Sequence, residues 1–190
     1  MAELDNLKAL AASCELLGRL WVHELTQEQI AQLRDPQLAD QLVALGCDLS
    51  ELENETAQED LAIDYCQLLI GPADAVSPFQ SVHDEGRFHG EAFASCQKFH
   101  QLVQGGVPVQ CAENPDHFAA QLLFLATVMD LSGDASGQAA EAGEVMQAFF
   151  DQHVRWTDQI LVGLSGKAKS RFYQSLARVT RSFVIGFSVT

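Results

Sequence analysis

The chain has 190 residues, enough for one domain or for two small subdomains that share a core, and 47% of the residues are hydrophobic. This composition excludes intrinsic disorder, and the net charge of −15 excludes nucleic acid as a partner, because phosphate binding needs a basic surface. Neither a secretory signal nor a membrane span is predicted, because the N-terminus is acidic and no apolar run approaches about eighteen residues.

The five cysteines are far apart and form no C-x-x-C pair, which argues against a structural zinc site or a disulfide framework. We therefore expect small, buried, reduced cysteines and a cytoplasmic location. No nucleophile elbow, zinc-binding helix motif or phosphate-binding loop occurs in the sequence. Accordingly, we predict no cofactor, no metal and no catalytic residue.

Helical periodicity begins at the N-terminus, where apolar residues recur every three or four positions over the first 25 residues. Thr26 and Gln29 form a capping box that predicts the start of a second helix. Asp35 followed by Pro36 predicts an N-cap and first turn, and Gly46 predicts a left-handed end for this third helix.

The next helix is predicted to begin at a capping box formed by Thr56 and Glu59. It should end at Gly71, because Pro72 disfavours helical geometry in the residue before it. A long, partly apolar loop follows, over residues 71–86. Its length and position predict a hinge.

Helices continue after this loop. One is predicted to end at Gly105 and Gly106, and the next to begin with Asn114 and Pro115 as cap and first turn and to end at Gly133. Two more follow, and no segment alternates with a period of two. We predict an all-α fold, a globular bundle of roughly eight to ten helices forming one domain over 1–190, with the hinge between N-terminal and C-terminal halves.

Charge is unevenly distributed along the chain. No Lys or Arg lies between Arg34 and Arg87, where acidic residues accumulate over 48–64. After Arg155 the bias reverses, with five basic residues and one acidic residue. Two interpretations remain open: solubility with attraction between the two ends of the chain, or an acidic surface that attracts a basic peptide.

Glu113, Asp116 and His117 cluster at a predicted helix start, where exposed N–H groups favour carboxylates. The cluster fits either an N-cap or a binding site, and Asp116 with His117 could alternatively serve as the acid-base pair of a small helical hydrolase. A metal site at His83 and His89 is disfavoured, because residues six apart point to different faces of a helix.

Three segments, in this order, resemble the TorD/DmsD-type chaperones, the maturation factors of bacterial molybdoenzymes, which are distantly related to the NarJ type. The first segment matches through Tyr65, Leu68, Leu69, Gly71, Pro72, Pro78, Phe79 and Ser81. The second matches through Glu113, Asp116, His117, Phe118, Gln121, Leu122, Phe124, Leu125 and Ala126. The third matches through Phe149, His153, Val154 and Trp156, and Phe149, His153 and Trp156 form a stripe that by spacing alone is typical of a core.

This sequence departs from the family pattern at four positions. Asn114 stands where many members have Pro, and Pro115 comes one residue later. Phe79 and Gln80 stand where many members have Trp or Tyr and then Glu.

The resemblance implies an all-helical cytoplasmic chaperone, not an enzyme, that binds the precursor of a molybdoenzyme and its twin-arginine signal peptide until the cofactor has been inserted. The implied client is a reductase for trimethylamine N-oxide, dimethyl sulfoxide or a similar acceptor, and molybdenum-cofactor biosynthesis proteins are further implied partners. Family members occur as monomers and as dimers formed by exchange of helices. No motif supports the guanine-nucleotide binding associated with some members.

On this basis we predict two groups of residues. The first would bind the client and its signal peptide: Leu69, Pro78, Phe79, Ser81, Glu113, Asp116, His117 and Phe118. The second would be structural: Tyr65, Leu68, Gly71, Pro72, Phe149, His153 and Trp156. A helical adaptor that binds basic proteins without specificity is the remaining alternative.

Overall fold

A computed structural model describes residues 2–71, 74–103, 108–132 and 139–187. Pro72 and three glycines predicted to end helices, Gly105, Gly106 and Gly133, lie outside these ranges. The described residues form α-helices, short 3₁₀ and π turns, and loops, and their only extended pairing is a bridge between Phe79 and His117. The all-α prediction is confirmed. No helix in the described part of the chain has both the length and the apolar content to cross a bilayer.

Eleven α-helices occur in the described part of the chain. They are α1 (Ala2–Trp21), α2 (Gln27–Leu33), α3 (Pro36–Ala44), α4 (Ala57–Tyr65), α5 (Gln80–Glu85), α6 (Glu91–Leu102), α7 (Val109–Glu113), α8 (Phe118–Ser132), α9 (Ala139–Phe149), α10 (Thr157–Lys167) and α11 (Arg171–Gly186). A 3₁₀ turn spans Ser50–Glu53, and π-helical turns continue α4 over Cys66–Ile70 and α9 over Phe150–Val154.

The chain forms two compact units that alternate along the sequence. The first unit contains residues up to 22 and residues 78–156, and the second contains residues 23–77 and 157–187. The boundary between residues 77 and 78 falls inside the loop predicted to be a hinge. The hinge itself stays a prediction.

The first unit is built around α8, which is buried along most of its length because nearly all of its residues are apolar. Gly18 of α1 lies so close to α8 that a Cβ atom would come within 2.8 Å of Leu123. Trp21 and Phe118 extend this contact, with ring centroids 5.5 Å apart. Phe149 of α9 also packs against α8, with its ring centroid 4.4 Å from that of Phe124.

The second unit begins with helices whose predicted caps are present. Gln29 N donates to Thr26 Oγ1 at 3.2 Å and Thr26 N to Gln29 Oε1 at 2.9 Å, which completes the capping box. Asp35 caps α3, and Gly46 follows that helix with a φ of +101°, in the left-handed region that favours glycine. These local predictions are confirmed.

The capping box predicted at Thr56 is wrong. The Thr56 hydroxyl donates to the Asp60 carboxylate at 2.7 Å and makes no bond to the N-terminal amides of α4. Thr56 has φ −91° and ψ 6°, not the extended geometry of an N-cap, so its hydroxyl does not cap the first amides of the helix.

Asp64 of α4 anchors the start of α11 across about one hundred residues of sequence. Its buried carboxylate accepts hydrogen bonds from the Lys169 and Ser170 amides, at 2.8 to 3.1 Å, and from the Ser170 hydroxyl at 2.7 Å. Ser170 in turn caps α11 by accepting from the Tyr173 amide at 3.2 Å. The negative charge lies beside the positive end of the helix dipole, so the arrangement stabilises the helix start.

We expect Asp64→Ala to lower the free energy of unfolding by about 1 to 3 kcal/mol, because the variant removes the acceptor of the Lys169 and Ser170 amides at the start of α11. Denaturant titration followed by circular dichroism measures the loss. Asp60→Ala, on the same helix but exposed, is the matched control and should change stability by less than about 1 kcal/mol. Equal stability of the two variants would show that the Asp64 contacts do not hold α11.

Candidate functional site

The loop before α5 and the start of α8 are joined by backbone pairing in the first unit. The Phe118 amide donates to the Pro78 carbonyl and the Gln80 amide donates to the Asp116 carbonyl, both at 2.9 Å. This pairing places Phe79 opposite His117, with their rings edge to face and their centroids 5.2 Å apart. Two of the three motif segments therefore meet at one place.

Asp116 caps the short helix α5 from outside that helix. Its carboxylate accepts a hydrogen bond from the Ser81 amide at 3.1 Å, and only 2% of the residue is exposed. The Ser81 hydroxyl in turn accepts from the Phe93 amide of α6 at 3.2 Å. Asp116 and Ser81 therefore connect α5, α6 and the start of α8.

His117, rather than Asn114, caps α8. Its Nδ1 atom accepts a hydrogen bond from the Ala119 amide at 3.1 Å, so the ring proton lies on Nε2. The predicted cap at Asn114 is wrong, because the chain makes a turn between Asn114 and His117 before the helix begins at Phe118. Burial lowers the pKa of His117 to about 4, so its ring is neutral at physiological pH.

A network of neutral side chains joins the third motif segment to the other two. Trp156 Nε1 donates to Gln121 Oε1 at 2.9 Å, and Gln121 Nε2 donates to Gln80 Oε1 at 2.8 Å. Gln80 Oε1 also accepts from His153 Nδ1 at 2.9 Å. The Ser95 hydroxyl completes the chain by donating to His153 Nε2, again at 2.9 Å.

The orientation of each group in this network follows from its neighbour. An indole N–H only donates, so the oxygen of Gln121 must face Trp156 and its nitrogen must face the oxygen of Gln80. That oxygen only accepts, so His153 carries its proton on Nδ1. Gln80 Nε2 is used as well, because it donates to the Gln152 carbonyl at 2.9 Å.

The structure assigns the predicted binding residues to different environments. Pro78, Ser81, Asp116, His117 and Phe118 are buried close together in the first unit, Phe79 is half-buried beside them, and Glu113 is exposed at the end of α7. Leu69 belongs to the second unit and is buried there.

Most of the predicted structural residues are buried as well. Tyr65 and Leu68 are core residues of the second unit, and Phe149 and His153 are core residues of the first. Gly71 is exposed. Trp156 is half-buried and its ring lies tilted against that of His83, with ring centroids 5.3 Å apart.

Sequence analysis missed Phe88, which is 64% exposed and lies edge to face against Phe79 with centroids 5.2 Å apart. The signal that could have identified it is an aromatic residue in a short loop bounded by Gly86 and Gly90. The hub position of Gln80 was also missed, since its partners Gln121, Gln152 and His153 are at least 41 residues away in sequence and only Asp84, four residues along α5, is local.

Asp116 and His117 do not form an arrangement suited to acid-base catalysis. The Asp116 carboxylate bonds the Ser81 amide, whereas His117 uses its Nδ1 lone pair to bond the Ala119 amide. A histidine with a pKa of about 4 is also a weak base at neutral pH. The geometry therefore gives no support to the hydrolase hypothesis.

The fold and this network define an all-helical protein in which three sequence motifs converge on one hydrogen-bonded cluster of buried and half-buried side chains. The chain belongs to the nitrate reductase delta subunit family, whose family model matches residues 26–161. It is also similar to proteins named chaperone protein TorD. The relative from Shewanella pealeana is 26% identical over 179 residues, covering 86% of this chain and 77% of the relative. The relative from Shewanella oneidensis is 24% identical over 204 residues, covering 97% and 91%. The resemblance to TorD-type maturation chaperones is confirmed.

Three histidines of the first unit, the half-buried His100 and the buried His117 and His153, have pKa values lowered by desolvation to about 4. The unfolded chain binds protons with a pKa near 6.5, so it takes up protons that the folded state rejects. The stability that these neutral histidines contribute to the folded state is complete above about pH 6.5 and is lost as pH falls towards 4.

We therefore expect the free energy of unfolding of the wild type to fall between pH 6.5 and 4, and the fall to be shallower in His117→Asn. Asparagine keeps an N-cap acceptor but does not titrate. Denaturant titrations at intervals across this range measure both slopes. His89→Asn replaces an exposed histidine and should retain the wild-type slope. If the unfolding free energy of His117→Asn falls with pH as steeply as that of this control, burial of neutral His117 does not contribute to acid sensitivity.

Proposed function

We propose that this protein is a cytoplasmic chaperone dedicated to one molybdoenzyme precursor. It binds the precursor and its twin-arginine signal peptide, aids insertion of the molybdenum cofactor and delays export until folding is complete. The supporting comparisons are the family membership and the similarity to proteins named chaperone protein TorD. A reductase for trimethylamine N-oxide, dimethyl sulfoxide or a similar acceptor is the proposed client.

The observation that carries the proposal is the pairing of Phe79 with His117, which leaves Phe79 half-buried at the surface of the first unit. A signal peptide has a basic end followed by an apolar stretch. Phe79 offers an aromatic surface for the apolar stretch, and Glu113, exposed four residues before His117 in sequence, offers a carboxylate for the basic end. Asp116, His117, Ser81 and Phe118 act by positioning these groups, because they are buried.

The host is grown anaerobically on alternative electron acceptors and the protein is purified from its cells. We expect it to carry one molybdoenzyme precursor with its twin-arginine signal still attached. Mass spectrometry of the copurified material identifies the client and measures its stoichiometry. A protein recovered alone would contradict the proposal. A mixture of unrelated basic proteins would instead support the unspecific adaptor, as would equal affinity for a real and a scrambled signal peptide.

Phe79→Ala should weaken binding of the precursor's signal peptide about tenfold, because aromatic residues at the centre of an interface carry much of its binding free energy. Isothermal titration calorimetry measures the change. Val43→Ala removes an exposed apolar side chain of the second unit and should leave the affinity unchanged. Unchanged affinity in Phe79→Ala would place the peptide elsewhere on the protein.

Asp116→Ala serves to separate positioning from direct contact. If Asp116 acts only by capping α5, the variant loses thermal stability and peptide affinity together, and Asp116→Asn, which retains an acceptor for the Ser81 amide, recovers much of both. If the carboxylate pairs directly with a guanidinium of the peptide, Asp116→Asn recovers stability but not affinity.

A further inference from the structure

Phe88 is presented to solvent by a loop whose backbone is held in an uncommon conformation. Gly86 and His89, on either side of it, have φ angles of +69° and +57°, in the left-handed region. Left-handed geometry is unfavourable for a residue with a side chain, such as His89, and such sites occur often where a surface is functional. The loop turns twice, and Phe88 stands between the two turns.

The exposed Glu85 carboxylate bonds groups on both sides of Phe88. One oxygen accepts from Arg87 Nε at 3.0 Å and Nη2 at 2.7 Å, and the other accepts from the Glu91 amide at the start of α6. Gly90 lets the Glu85 carboxylate approach the backbone closely, because a Cβ atom at this position would come within 2.0 Å of it and the carboxylate would have to shift. These contacts link the residue before Phe88 to the start of α6 through one carboxylate.

Phe88 and Phe79 together form an aromatic patch, defined by these two rings and the edge of His117. Phe79 lies between Phe88 and His117, and its ring centroid is 5.2 Å from the centroid of each. Phe88 is 64% exposed although it is a large apolar residue. Covering the patch with an apolar partner is therefore favourable, because it removes apolar surface from water. Its surroundings are acidic: residues 84–91 contain three carboxylates and one guanidinium, which Glu85 already engages.

We infer that Phe88 is a ligand-binding residue, and that the aromatic patch binds the apolar stretch of a peptide segment that carries basic residues next to that stretch. The inference rests on the proposed function, which it extends from Phe79 to a loop outside the three motifs. Apolar contact supplies the affinity of such an interaction, and the acidic surroundings favour a cationic flank over an anionic one.

The test measures coupling between Phe88 and the apolar stretch of the peptide. One synthetic peptide has two adjacent arginines followed by an apolar stretch of about ten residues. A second peptide keeps the arginines and replaces the apolar stretch with glycine and serine. Each is titrated calorimetrically against the wild type, Phe88→Ala and Leu102→Ala. Leu102 is the matched control, because it is 62% exposed in the same unit.

Phe88→Ala should lose affinity for the first peptide about tenfold relative to the wild type, with no change for the second. Leu102→Ala should bind both peptides as the wild type does, and Phe88→Trp should retain affinity for the first. Because Phe88 is mostly exposed, thermal midpoints of the variants should agree within a few degrees.

Three outcomes would overturn the inference, each in a different way. If the wild type binds the first peptide and Phe88→Ala binds it equally well, the inference fails and the proposed function stands. If the wild type binds neither peptide, the proposed function fails with it. If Phe88→Ala abolishes self-association in sedimentation experiments without peptide, the patch is an interface between two copies of this chain.

Discussion

The candidate site depends on the hydrogen bonds made by the side chain of Gln80. Its oxygen accepts from Gln121 and His153, and its nitrogen donates to the Gln152 carbonyl. A neutral amide can satisfy partners of both kinds in a buried position, whereas a single unpaired charge there would carry a large desolvation cost. Since Gln80 follows Phe79 directly, the network that holds Gln80 also fixes the backbone that presents Phe79.

The buried polar residues of the motifs and the exposed aromatic residues therefore have different roles. Asp116 and His117 each satisfy a helix N-terminus, one in α5 and one in α8, and each is buried in doing so. Helix ends leave unsatisfied amides, and a buried end without a partner is destabilising. Residues that carry the family resemblance can thus be retained for positioning, while contact with a ligand falls to less regular positions such as Phe88.

The sequence correctly predicted some of the interactions whose partners are close along the chain, although the caps predicted at Thr56 and Asn114 are absent. The capping box at Thr26 and the cap at Asp35 needed only neighbouring residues, and both were found. Asp64 accepts from amides 105 and 106 residues away, and Asp116 accepts from an amide 35 residues away. No local pattern predicts these two caps. The helices were predictable from periodicity, but the alternation of the two units along the chain was not, because it depends on which apolar faces pack together.

The acidic segment 48–64 illustrates how the fold changes the interpretation of charge. Hydrogen bonds from Ser50, with a smaller effect of Arg171 and Arg178, lower the pKa of Asp48. Glu51 accepts a hydrogen bond from the Phe172 amide at the start of α11. The basic residues near the C-terminus thus lie close enough to offset part of this acidic charge within the second unit.

That compensation bears on how a basic peptide would be selected. Charges already offset by neighbours in the same unit give a smaller attraction to a ligand, and salt screens what remains at exposed positions. A peptide defined only by its arginines would then be distinguished poorly from other cationic chains. Discrimination requires contacts that depend on shape and apolar surface, and the aromatic patch of Phe79 and Phe88 provides such contacts.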